Sequence, residues 1–121
     1  MNRSDIFDQA VYDGLVAELG SEDTAEVLGT FLADTAGKLD RLRAGSVDRE
    51  TARRESHAIK SSAATFGFLE LSRRAKDLEK SAPAMSAEGL DAAVDELQQR
   101  FAQVRDLAEN LLRVQSREIA R

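Results

Sequence analysis

The sequence predicts an all-α protein: an antiparallel, up-down four-helix bundle with a short N-terminal helix capping one end. Three observations carry that reading. Ala, Leu, Glu, Asp and Arg are abundant and Pro83 is the only proline, a mixture that favours helix over strand. No stretch alternates apolar and polar residues for long enough to propose a sheet, whereas apolar residues recur at spacings of three and four. Finally, Gly20-Ser21, Gly45-Ser46, Gly67 and Ser81-Ala82-Pro83-Ala84 divide the chain with the stop and start chemistry of helix ends.

The first segment, about Asp5 to Leu19, places Phe7, Ala10, Val11, Leu15 and Leu19 on one face. The second, about Glu22 to Arg43, does the same with Leu28, Phe31, Leu32, Thr35, Leu39 and Leu42. The third runs from about Val47 to Phe66. The fourth, about Phe68 to Ser81, carries Leu71, Ala75 and Leu78. The last begins after Ser86 with the cleanest stripe: Leu90, Val94, Leu97, Phe101, Val104, Ala108 and Leu111. Its four-three alternation is the seam of a helix packed nearly parallel to its neighbours. Links of a few residues make consecutive helices antiparallel. A chain of 121 residues suits one domain, 1–121, with an N-terminal helix over about 5–19 and a bundle core over about 22–114. Beyond Val114 the stripe is lost, and 115–121 reads as a fraying tail.

Composition narrows the function classes. Net charge is −5 and no basic stripe with interleaved aromatics occurs, which argues against nucleic-acid binding. The absence of cysteine excludes disulfides and thiolate metal sites. No apolar run approaches membrane length, and Met1-Asn2-Arg3-Ser4-Asp5 lacks the basic-then-apolar pattern of a targeting peptide. The expectation is a cytoplasmic protein with no membrane contact, and Met1 favours a freestanding one. Nothing in the pattern demands a dimer, so a monomer is expected.

The chain has one histidine, His57. On a wheel of the third helix, Ala52, Ser56, Ile59, Ala63 and Phe66 fall in a narrow sector, the core face. His57 lies on the solvent side with Ser61 and Ala64, and Arg53, Arg54 and Lys60 flank it. An exposed imidazole is neutral near pH 7 and nucleophilic at nitrogen. Small neighbours would let a partner close over the ring, and Lys60 sits one turn away to pair with a phosphoryl group. On these residues alone, an ordinary surface histidine and a phosphoryl acceptor both stay open.

The segment His57-Ala58-Ile59-Lys60-Ser61-Ser62-Ala63-Ala64-Thr65-Phe66-Gly67 resembles the signature of the histidine-containing phosphotransfer (HPt) family. That signature has a histidine, any residue, an aliphatic residue, lysine, a small residue, and then a glycine closing the helix. The resemblance continues into Leu71 and Asp77-Leu78-Glu79, and upstream into Phe31-Leu32-Ala33-Asp34 with Leu39 and Leu42, covering roughly residues 5 to 112. Ser61 departs from it, because many members carry glycine after the lysine; serine is still small.

The resemblance implies a phosphorelay intermediate without kinase activity of its own. His57 would carry the phosphoryl group on Nε2, taking it from and passing it to the aspartate of a response-regulator receiver domain, in a relay that begins with a hybrid or sensor histidine kinase. No cofactor would be resident here, Mg²⁺ being supplied by the receiver. Lys60 would pair with the phosphate, Ser61 and Ala64 would form docking surface, and Gly67 would end the helix. Arg53 and Arg54 read equally well as steering cations or as ordinary solubilising residues. Phe66, Phe68 and Phe101 read as core, with Phe68 also a candidate docking residue.

Three rivals are weaker. The phosphoacceptor helix pair of a histidine kinase usually follows its histidine with an acidic residue and, about five positions on, a proline; here Ala58 follows and no proline occurs before Pro83. A carboxylate-bridged metal bundle needs paired Glu-x-x-His motifs, and Arg54 stands three residues before His57. A non-catalytic helical adaptor that binds signalling partners is the alternative from another class.

Overall fold

A computed structural model of the chain describes residues 3–43 and 48–119, with side chains from residue 5 to residue 117 outside that gap. The described residues contain helices α1 (Arg3–Ile6), α2 (Gln9–Leu19), α3 (Ser21–Arg43), α4 (Arg49–Phe66), α5 (Leu69–Ser81) and α6 (Ala87–Ile119), plus a 3₁₀ turn at Ala82–Ala84, and no strand. The Gly45-Ser46 break and the start at Val47 lie outside them. Helices α3, α4, α5 and α6 form a ring in which each touches the next and α6 returns to α3. Cross-contacts set the directions. Gln115 near the end of α6 donates to the Ser21 carbonyl at the start of α3, while Arg43 at the end of α3 faces Asp95 early in α6. Ser72 meets Lys60, and Glu79 meets His57, so α4 and α5 are antiparallel as well.

The N-terminal region differs from its expected form. Asp8 interrupts the helix: in an extended conformation, its carboxylate accepts from the backbone N–H groups of Ala10 (3.0 Å) and Val11 (3.4 Å), capping α2. Phe7 before the cap packs on Tyr12 in the first turn, ring centroids 5.9 Å apart, a hydrophobic staple. The break uncouples Phe7 from the register of α2. Tyr12 therefore turns inward, while Ala10, Val11 and Leu19, assigned to the core face, are exposed.

The other end of the chain also departs from expectation. Helix α6 continues past Val114 to Ile119, and Gln115 is buried, accepting from the Tyr12 hydroxyl at 2.7 Å while donating to Ser21. A polar side chain supports the helix there, so the apolar stripe ends before the packing does.

Asp48 starts α4 by accepting from the Thr51 N–H at 2.6 Å. That hydrogen bond holds its carboxyl below the usual carboxylate range. Gly67 ends α4 at φ 86°, the left-handed region that glycine enters without strain. Its N–H reaches the Ala64 carbonyl and that of Phe68 reaches Ala63, the paired bonds of a Schellman motif. Glycine is required for a second reason: a Cβ there would sit 2.6 Å from the Asp8 carbonyl oxygen. The Gly67 carbonyl in turn accepts from the Asp8 N–H at 2.8 Å, so this turn is where the N-terminal helices close the bundle's end.

Candidate functional site

The buried face of α4 is Ala52, Ser56, Ile59, Ala63 and Phe66, and these residues fix its rotation in the bundle. His57 consequently points outward, its side chain 58% exposed, as the wheel predicted. Ser61 and Ala64 share that exposed side.

A residue of α5 completes the site. The Glu79 carboxylate lies 2.9 and 3.2 Å from His57 Nδ1, and the same group receives Lys60 Nζ at 3.2–3.3 Å. The hydrogen bond to His57, then the Lys60 ammonium, hold the Glu79 carboxyl below its ordinary range, so it is ionised near neutral pH. An ionised carboxylate only accepts hydrogen bonds. Nδ1 therefore carries a hydrogen, and in the neutral ring the lone pair belongs to Nε2, which has no protein partner among the described residues. Ser72 Oγ donates to the Lys60 carbonyl at 3.0 Å and fixes α5 against α4 at this level.

Glu79 falls within the HPt-like segment, but residue type alone assigns it no role. Its signal is the hairpin itself: His57 stands ten residues before Gly67 and Glu79 twelve after it, so an antiparallel pair folded at that glycine sets them side by side. The flanking cations fare differently. Arg53 donates two hydrogen bonds to Glu50, at 2.6 and 3.0 Å, while Arg54 is exposed and forms no ion pair among the described residues. Phe68 requires a correction as a docking residue. The left-handed turn at Gly67 sends its ring inward, where it is fully buried with centroids 5.5 Å from Phe7, 5.7 Å from Phe31 and 6.1 Å from Phe66. Among the described residues no group of three or more metal-ligating side chains assembles, and no helix is long and apolar enough to cross a membrane.

Comparison with known proteins places this geometry. The Hpt domain family model matches residues 26–116. The phosphorelay protein LuxU of Vibrio harveyi is 37% identical over 84 residues, 67% of this chain and 73% of that protein. The crystal structure of histidine-containing phosphotransfer protein B (HptB) from Pseudomonas aeruginosa PAO1 superimposes with a TM-score of 0.80 at 26% identity, covering 88% of this chain and 94% of that one. A rice protein solved by X-ray methods, 16% identical, shares the fold with a TM-score of 0.80 over 93% of this chain and 83% of its own. Proteins of this kind work between histidine kinases and receiver domains. An outward histidine, held at one nitrogen and open at the other on a bundle of this family, leaves one conclusion: the chain belongs to the Hpt domain family and is a histidine phosphotransfer protein of two-component phosphorelays.

Proposed function

We propose that His57 is the phosphoacceptor and that it reacts at Nε2. The observation that carries this reading is the Nδ1–Glu79 hydrogen bond of 2.9 Å, which leaves the outward nitrogen with its lone pair. In the step from a receiver, Nε2 attacks the phosphorus of the aspartyl phosphate. The N–P bond forms, the P–O bond to the aspartate breaks, and the aspartate leaves as carboxylate. The ring keeps its Nδ1 hydrogen and gains positive charge, which the ionised Glu79 faces directly. Onward transfer is the same exchange reversed. Lys60, already within reach of the site, neutralises phosphoryl oxygens, and positioning with charge stabilisation supplies the rest of the catalysis. Mg²⁺ belongs to the receiver's phosphorylation site in this scheme.

Ser61 and Ala64 offer the receiver a surface without long side chains, and Arg53 and Arg54 add positive potential beyond it. One copy holds the nucleophile, its carboxylate partner and the lysine, so the chain acts as a monomer. Its donors and acceptors are cytoplasmic kinases and receivers, and it works in that compartment.

The test is transfer from receiver domains charged with acetyl phosphate. The expected label is acid-labile and base-stable, and it is lost in His57→Gln with the thermal melt nearly unchanged, because the side chain is exposed. Label persisting in that variant would remove His57 from the reaction. A large drop in melting temperature would mean that the ring is structural.

A further inference from the structure

Beside the His57 site, an open depression of about 540 Å³ lies between α4 and α5. Lys60, Ser61 and Ala64 line it from α4, and Leu69, Arg73 and Lys76 are among those that line it from α5. Among the described residues, three cations border it and no acidic residue does. That is unexpected in a chain of net charge −5. The excess is local: residues 49–81 carry eight Lys and Arg against five Asp and Glu. The cations are not equivalent. Lys60 is held by Glu79, and Arg73 is bound at 2.8 Å by the buried Glu70. Lys76 is exposed and forms no ion pair among the described residues.

We infer that this depression is the specificity-determining half of the docking surface, and that it receives an acidic segment of the receiver domain. The inference rests on the phosphoacceptor reading above. Two features select this occupant. Lys60 belongs both to the depression and to the His57 cluster, so a partner seated on one abuts the other. Ser61, Ala64 and Leu69 offer small apolar contacts, while the free ammonium of Lys76 beside them meets carboxylates. Lys76, on α5, therefore steers the encounter more than Arg53 of α4, which is already neutralised by Glu50.

The experiment is the second-order rate of phosphoryl transfer from the fastest acetyl-phosphate-charged receiver of a panel, at about 0.05 M and about 0.5 M salt. Lys76→Glu is compared with Arg113→Glu, which makes the same charge change at an exposed position on α6. Lys76→Glu is expected to slow transfer about tenfold or more at low salt, with the loss shrinking at high salt, and Arg113→Glu is expected to cost far less. Complete end-point labelling and an unaltered hydrolysis rate of the phosphorylated protein should accompany the slower transfer. Equal losses in the two variants, or none in Lys76→Glu, would overturn the assignment. A nuclear magnetic resonance footprint on Ser61, Ala64 and Lys76 that appears on concentrating this chain alone would assign the depression to a second copy and overturn it likewise. Absence of label from the wild-type chain with every receiver would sink the phosphoacceptor reading itself, a result distinct from labelling that ignores Lys76.

Discussion

Ser56 and His57 are neighbours on α4, yet Ser56 is fully buried while His57 keeps 58% of its side chain in solvent. The two faces of this helix are specified by different means. The buried face, with Ile59, Ala63 and Phe66, is set by packing against the ring of helices and is written in local periodicity. The exposed face takes its order from outside the helix: Glu79, twenty-two residues away on α5, fixes the His57 ring and holds Lys60. A side chain in water has no packing to position it, so a carboxylate from the next helix supplies the constraint.

Substitutions can pull these two kinds of order apart. Phe68→Ala removes a fully buried ring between Phe7, Phe31 and Phe66, and should cost about 3–5 kcal/mol in urea unfolding. The folded fraction should still accept phosphate. A small cost with slowed transfer would restore Phe68 as a docking residue. Gly67→Ala should cost at least about 1–2 kcal/mol from the left-handed backbone alone, with further loss as the new methyl pushes on Asp8. Its signature would be loosened protection of α2 in hydrogen exchange, and unchanged protection would argue that the turn relaxes freely.

On the exposed face, stability should barely move while chemistry does. Glu79→Gln keeps an acceptor for Nδ1 but removes the charge, so transfer to His57 should slow; Lys60→Ala should shorten the life of the phosphorylated form. Wild-type rates in both would dismantle the cluster. The pH dependence has a defined sign. The folded-state pKa of Glu79 is depressed, so its stabilisation is present above the ordinary glutamate range and is lost as pH falls through the lower, folded value. Glu79→Gln should therefore flatten part of the acid limb of a stability–pH curve by lowering its neutral plateau slightly, and should match wild type below the folded pKa.

How much of this the sequence discloses follows the same division. The α6 stripe from Leu90 to Ala108 is buried throughout, and the core face of α4 is the one its spacing predicts, because a long apolar period has a single inward solution. The Gly67 stop was legible from residue type. The α2 register was not: periodicity counted across Asp8 joined Phe7 to Val11 and Leu19, whereas the Asp8 cap starts a new helix and buries Tyr12 instead. Gln115 escaped because a polar residue buried by hydrogen bonds to Tyr12 and Ser21 leaves no apolar mark. Glu79 needed the hairpin geometry as well as the letters. Phe68 shows the limit of a linear reading, since only the turn decides whether a ring after a glycine faces out or in.

The most direct test of the account is the nitrogen that bears phosphorus. Phosphorylated protein with ¹⁵N-labelled histidine should show phosphorus–nitrogen coupling to Nε2 of His57, and in the unphosphorylated protein the ring hydrogen should sit on Nδ1 in wild type and lose that preference in Glu79→Ala. Coupling to Nδ1, or a ring hydrogen on Nε2 in the resting protein, would contradict it.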